Sequence, residues 1–186
     1  MVSLQTPVCD FGQPIGEFEL PGVDGRRWSM RDCMGPNGLL VMFICNHCPY
    51  VKAVIDRIVR DTTELRELGV NSVAIMSNDP NQYPEDSFEN MRAIAERMKF
   101  PFPYLLDASQ AVAKDFGAVC TPDFFGYNAA GELQYRGRLD ESRKEAARAD
   151  VRRDLFEAMR QVAETGRGPE EQIPSMGCSI KWLDES

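Results

Sequence analysis

The strongest pattern along the chain is Leu39-Leu40-Val41-Met42-Phe43-Ile44, an apolar run without interruption behind the breaker Gly35-Pro36-Asn37-Gly38. A run this short and uniformly apolar predicts a strand buried on both faces. Pro49 suits the first turn of a helix, and Val51, Val54, Ile55, Ile58, Val59, Leu65 and Leu68 then recur at helical intervals, so one long helix is expected until Gly69 stops it. Val70 to Met76 reads as a second buried strand, set parallel to the first by the intervening helix.

Upstream, Glu17 to Leu20 and Arg26 to Met30 flank Asp24-Gly25 and predict a hairpin that precedes the main sheet. Downstream, Asn78 to Gln82 is turn-rich, and Ser87 to Met98 predicts a helix through Phe88, Met91, Ile94, Ala95 and Met98, ended by Pro101 and Pro103. Tyr104 to Leu106 is expected as a short strand and Gln110 to Phe116 as a short helix. Phe124 to Tyr127 and Leu133 to Arg136 are expected to pair across Asn128-Ala129-Ala130-Gly131. From Ser142 to Thr165 a charged face opposes Val151, Leu155, Met159 and Val162, which predicts a surface helix closing the domain. The order is β-α-β, an inserted helical segment, then β-β, an α/β arrangement. One domain is expected over residues 1–186, with 166–186 a C-terminal tail packed on or near it.

A 186-residue chain with 43% hydrophobic residues can close one core of this kind. Its 29 acidic and 21 basic residues leave a net charge of −8, which repels phosphate backbones and anionic lipid, so no nucleic acid and no membrane is expected as a partner. The opening Met1 to Asp10 has neither the basic start nor the apolar run of a secretory signal, so the expectation is a cytoplasmic protein in a reducing compartment. Six cysteines in a chain of this length are too few for a disulfide scaffold, and a close pair points instead to redox catalysis or metal binding.

That pair is Cys45-Asn46-His47-Cys48. It falls where the buried strand gives way to the helix, so the exposed amides of the helix start can stabilise a thiolate, expected on Cys45. The spacing lets Cys48 resolve a mixed disulfide formed at Cys45. His47, the single histidine, is expected to favour that thiolate as an imidazolium. The competing reading is half of a zinc site completed by Cys120 and Cys178, although no second C-x-x-C is present. Cys9, Cys33 and Cys120 are expected as bystander thiols, and Cys178 as a buried structural thiol in a docked tail segment with a redox role as the alternative.

These segments together resemble the thioredoxin superfamily, and within it the redoxin or peroxiredoxin-like, AhpC/TSA-related branch. The residues that carry the resemblance are Asp24-Gly25 with Trp28-Ser29, Val41-Met42-Phe43 before Cys45-Asn46-His47-Cys48-Pro49, Gly117-Ala118-Val119-Cys120-Thr121-Pro122, and Gly131-Glu132-Leu133-Gln134-Tyr135-Arg136-Gly137. The resemblance implies a thioredoxin-like fold, a central mixed sheet flanked by helices with an N-terminal β-hairpin and a helical insertion. It also implies a cis Thr121-Pro122 facing the cysteine pair. Two departures stand out. Counted from Cys48, the places of the peroxiredoxin Thr and Pro hold Cys45 and Val41, and the thioredoxin Trp and buried carboxylate are replaced by Ile44 and Leu39. Arg136 or Arg138 is the candidate for the peroxide-polarising arginine of the family.

The function expected from this reading is thiol-disulfide exchange by Cys45 and Cys48, with a peroxiredoxin-like thiol peroxidase as the alternative and a metal-binding or redox-sensing module as the second. No cofactor is called for. The partners expected are disulfides or thiols of proteins or small molecules, or peroxides, with a thioredoxin or glutathione system as reductant.

Overall fold

The computed structural model describes residues 2–184, so Met1, Glu185 and Ser186, the ends of the expected 1–186 span, lie outside the described residues. The chain enters through β1 (Ser3–Gln5) and makes the expected hairpin from β2 (Glu19–Pro21) and β3 (Arg27–Ser29). A single turn, α1 (Met30–Cys33), leads into β4 (Gly38–Phe43), the apolar run, followed by α2 (Pro49–Lys52), α3 (Ile55–Glu67) and β5 (Val70–Met76). The insertion contributes a 3-10 turn over Pro84–Asp86 and α4 (Phe88–Arg97). Then come β6 (Tyr104–Leu106), α5 (Ala111–Phe116), β7 (Cys120–Thr121), β8 (Asp123–Tyr127), β9 (Leu133–Tyr135), α6 (Asp154–Thr165) and β10 (Met176–Ser179).

The main sheet has the order β6-β5-β4-β8-β9, parallel from β6 to β4 and antiparallel from β4 to β9, which is the mixed sheet the sequence predicts. β4 is its centre, and its side chains alternate between two cores. Leu40, Met42 and Ile44 pack with α3, α4 and α6 through Ile58, Met91 and Leu155, whereas Leu39, Val41 and Phe43 pack with α5 and the hairpin through Phe116 and Phe18. Burial on both faces is the reason this strand carries no polar residue. A second, three-stranded sheet joins both ends of the chain in the order β1-β10-β7.

Two expectations about helices need correction. The helix after Cys48 is not continuous: the Val54 amide bonds back three residues to the Val51 carbonyl, and Val54 takes φ −120°, so the chain breaks between α2 and α3. The helix expected from Ser142 begins only at Asp154. Residues 144–150 have exposed or half-buried side chains and no apolar face to bury, while Arg143 lies at φ +53° and the Asp140 carboxylate takes the Ser142 amide in a turn. Helical propensity without a packed face does not hold a helix, and α6 starts where Leu155, Ala158, Met159 and Val162 reach the core.

Gly126 shows how closely α6 sits on β8: a Cβ there would lie 2.3 Å from the Met159 sulfur. Gly69 ends α3 in the left-handed region, at φ +81°, as expected of a helix stop.

Because Leu40 is fully buried at the centre of the sheet, Leu40→Ala is expected to lower stability by about 2–5 kcal/mol. Val8→Ala, at a side chain 79% exposed, is expected to change it by less than about 0.5 kcal/mol. Urea denaturation of the two variants checks this, and equal losses would place the core elsewhere.

Candidate active site

β4 ends at Phe43, and the backbone passes through Ile44, Cys45, Asn46 and His47 before Cys48 caps α2. A loop at this place needs partners for its amide groups. The partner is Asp86, a wholly buried residue of the inserted 3-10 turn. Its Oδ1 accepts the amides of Asn46 at 2.7 Å and His47 at 3.2 Å, while Oδ2 bonds His47 Nδ1 and accepts Asn78 Nδ2 at 3.0 Å. Asn46 is held further, its Nδ2 donating to the Glu85 carbonyl at 3.1 Å and its Oδ1 accepting the Tyr104 hydroxyl at 2.8 Å. Tyr83 stacks on the His47 ring, with centroids 4.7 Å apart and planes 8° from parallel.

Cys45 and Cys48 are both buried, at 2% and 0% exposure, and belong to one apolar cluster. Thr121 faces both: its Oγ1 lies 3.4 Å from the Cys45 sulfur, and its carbonyl 3.3 Å from that of Cys48, an acceptor that serves Cys48 only while the thiol keeps its proton. The Thr121–Pro122 bond is cis. Pro122 itself lines a narrow cleft with Tyr50, Arg138, Ser175 and Met176.

The groups around the pair favour charge on Cys48, where the sequence reading expects it on Cys45. The Cys45 thiol donating to it is the largest cause that lowers Cys48 to a pKa of about 4. Burial opposes the shift, and hydrogen bonds from Cys178, Thr121 and the Val51 amide add to it. Cys45 is held well above the usual thiol range, first by that same bond to Cys48, then by burial and by the charge of Asp86. These causes favour the charge on Cys48. His47, expected to stabilise a Cys45 thiolate, has its Nδ1 bonded to the Asp86 carboxylate, so a positive ring would be neutralised by that partner rather than offered to the sulfur.

Cys178 is the residue whose position sequence alone left open. β10 pairs with β7 so that Cys178 stands opposite Thr121, whose carbonyl lies 3.3 Å from the Cys48 sulfur, and Cys178 and Cys48 share one apolar cluster. Cys178 is 1% exposed, and its pKa is pushed up to about 12, first by burial and then by its bond to Cys48 and the Cys48 charge. Cys120 lies on the neighbouring strand, where its thiol donates to the Pro122 carbonyl at 3.6 Å and burial raises its pKa. Cys9 and Cys33 are likewise raised by burial, to about 11 and about 12, and both pack with the core on the other face of the sheet from Cys45 and Cys48.

The arginines do not meet the expectation placed on them. Arg136 forms a buried pair with Asp123, at 3.0 and 3.3 Å, donates to the Gly117 carbonyl at 2.9 Å and lies over Phe125, which belongs to the core on the face away from the sulfurs. Arg138 is paired with Asp154 of α6 at 2.6 Å. Neither guanidinium is a hydrogen-bond partner of the Cys45 or Cys48 sulfur.

The zinc set considered from sequence, Cys45, Cys48, His47, Cys120 and Cys178, is not what converges. The ligand atoms of Cys45, His47 and Asp86 lie within 4.8 Å of one another, a set of three in which His47 and Asp86 already bond each other. A structural zinc site takes four ligands. Asp86, Tyr83, Asn78 and Tyr104 were not legible as site residues, since each reaches the loop from far along the chain and reads locally as a turn or strand residue.

With this geometry in view, comparisons with known proteins fall into line. The sequence matches the AhpC/TSA family over residues 11–136. Among solved structures, an uncharacterized conserved protein from Geobacillus kaustophilus is 41% identical with a TM-score of 0.93, over 100% of this chain and 99% of that one. A hypothetical protein from Sinorhizobium meliloti is 36% identical with a TM-score of 0.91, over 97% of this chain and 99% of that one. A peroxidoxin from Mycobacterium tuberculosis, 16% identical with a TM-score of 0.61 over 85% of this chain and 98% of that one, shares the fold. No functionally curated protein matches. Since the family match spans most of the chain and includes the Cys45–Cys48 loop, this chain belongs to the AhpC/TSA family, as a redoxin of the thioredoxin superfamily.

Proposed function

We propose that this chain is a thiol-disulfide oxidoreductase that cycles Cys45 and Cys48 between dithiol and disulfide, with the Cys48 sulfur as nucleophile. The observation that carries the reading is that both sulfurs meet at Thr121 beside the cis Pro122, Cys45 3.4 Å from its hydroxyl and Cys48 3.3 Å from its carbonyl. A thiolate already poised against a protonated thiol holds both reagents of disulfide exchange in one place.

The Cys48 thiolate attacks one sulfur of a substrate disulfide, forming a mixed disulfide and releasing one thiolate, which takes up a proton. Cys45 then gives up its proton and attacks the Cys48 sulfur, releasing the second substrate thiolate and leaving the Cys45–Cys48 disulfide for an external thiol reductant. The buried carboxylate of the thioredoxin pattern is replaced in this chain by Leu39, and the proton acceptor is instead the His47–Asp86 pair, whose ligand atoms lie within 4.8 Å of the Cys45 sulfur and whose Nε2 is buried with no hydrogen-bond partner among the described residues. Thr121 and Pro122 form the adjoining wall, the position from which a substrate backbone is held in this fold.

Peroxide reduction is the second reading, and the burial of both sulfurs favours it: a site with 2% and 0% exposure admits a small oxidant more readily than a protein loop. In that reaction the Cys48 thiolate takes the terminal oxygen of a peroxide, releasing an alcohol or water, and Cys45 condenses with the resulting sulfenic acid to give the same disulfide and water. Turnover of the reduced protein against hydrogen peroxide and against a small disulfide separates the two. Faster turnover of the disulfide is expected, and activity on peroxide alone would reject the first reading.

The thiolate assignment makes a pH prediction. Ultraviolet thiolate absorbance should reveal one ionised thiol at neutral pH that is lost on acidification through about pH 4. Lowering the pH through that value should therefore remove reactivity toward a small disulfide, while the rate stays level above it. Cys48→Ser should abolish the signal, and Cys45→Ala should move its midpoint upward by removing the main donor. A signal that survives in Cys48→Ser would return the thiolate to Cys45.

Asp86→Asn is expected to cost about 1–3 kcal/mol of stability, since the amide cannot accept from all the donors the carboxylate serves. It should also lower the Cys45 pKa, because the Asp86 charge is one of the causes raising it. Denaturant melts and thiol titration read the two effects independently, and an unmoved Cys45 would detach Asp86 from the chemistry.

A further inference from the structure

Cys45, Cys48 and Cys178 share one buried cluster around Thr121: both loop sulfurs lie against that residue, and Cys178 stands opposite it on β10. Cys178 does not reach this place by chance packing. Its strand is held between β1 and β7 with Ser3 opposite Cys178 on one side and Thr121 on the other. Gly177 brings the strand in: a Cβ there would lie 2.0 Å from the Thr121 carbonyl oxygen and 2.5 Å from its carbon, so only glycine permits this approach. Ser175 adds a bond from its hydroxyl to the Pro122 carbonyl at 3.0 Å, and beyond the strand the Lys181 amide donates to Asn78 Oδ1 at 2.8 Å. The tail is thus fastened to both the Thr121–Pro122 wall and the insertion that carries Asp86.

We propose that Cys178 is a third redox thiol of this site, closing a Cys48–Cys178 disulfide once the Cys48 sulfur has been oxidised. The inference rests on the reading of Cys45 and Cys48 as a dithiol pair. In the step, the Cys178 thiol gives up its proton and attacks the Cys48 sulfur of the Cys45–Cys48 disulfide. The new sulfur–sulfur bond forms as the old one breaks, and Cys45 leaves as a thiolate that takes up the proton. Nothing is oxidised or reduced overall, so no further reactant is needed. The consequence is a relay: the oxidising equivalent moves inward to the tail strand and Cys45 is returned as a thiol while the protein remains oxidised. Against a mixed disulfide at Cys48, the same attack by Cys178 releases the substrate thiol, a second route of resolution beside Cys45.

The experiment uses the full chain as wild type, Cys45→Ser, Cys178→Ser and the double variant, each reduced and then exposed to 2-hydroxyethyl disulfide, a small disulfide oxidant. Acid quenching and non-reducing peptide mapping by mass spectrometry identify the bonds formed. Cys178→Ser is expected to close Cys45–Cys48. Cys45→Ser is expected to close Cys48–Cys178 and to shed the mercaptoethanol adduct at Cys48 at least about ten-fold faster than the double variant, in which no thiol is left to resolve it. Gly177→Ala, placed in the Cys45→Ser background, should slow that closure by lifting β10 from Thr121. If the adduct in Cys45→Ser lasts as long as in the double variant while Cys178→Ser still closes Cys45–Cys48, the third thiol is rejected and the dithiol reading stands. If Cys178→Ser fails to close Cys45–Cys48, the dithiol reading is rejected, and failure of every variant to react rejects both.

Discussion

The buried carboxylate of Asp86 is the constraint on which the arrangement of this site depends. A loop that leaves the central strand and must present two sulfurs toward the protein interior has backbone amides with no strand or helix partner, and an unmet amide in such a place costs about 1–3 kcal/mol. Asp86 accepts two of these amides on one oxygen and binds the His47 ring and Asn78 with the other. The insertion between β5 and β6 therefore does more than decorate the sheet, because it carries the acceptor that shapes the Cys45–Cys48 loop. Asn78 extends the same network, donating to Asp86 while its carbonyl oxygen accepts the amide of Lys181 from the tail.

This network also sets the electrostatic difference between the two cysteines. Asp86 is among the groups raising Cys45, whereas Cys48 collects donors from Cys45, Cys178, Thr121 and Val51. The helix that follows is only the four residues of α2, so the stabilisation of the thiolate rests on these individual donors more than on a long helix dipole. Counted from Cys48, Cys45 stands where the peroxiredoxin resemblance has a threonine. A second thiol standing where the family has a hydroxyl keeps the donor to the thiolate and adds a group that can be oxidised.

The C-terminal strand completes the site from behind. β10 closes the smaller sheet between the two ends of the chain, and the approach that Gly177 allows brings Cys178 to the Cys48 sulfur. Three buried cysteines, Cys45, Cys48 and Cys178, walled by Thr121, form a site suited to small reactants and to transfer of a disulfide within the chain.

The sequence by itself determined the sheet and the pair. Leu39 to Ile44 and Val70 to Met76 have a uniform apolar character that only strands buried on both faces require, and the cysteine spacing with Pro49 behind it marks the turn into a helix, because such signals are local. Thr121-Pro122 was legible through its place before β8, and its bond is cis. The irregular course of 142–153 was not, since its alternation of charge and alanine satisfies helical propensity without offering a face to bury. Only the tertiary structure decided that Arg136 turns away to Asp123 and that Asp86 and Cys178 stand at the site. Each of these depends on contacts between residues distant in the chain, Asp86 with His47 across 39 positions and Arg136 with Asp123 across 13. A pKa or a partner set by such contacts leaves no periodic or compositional trace around the residue that carries it.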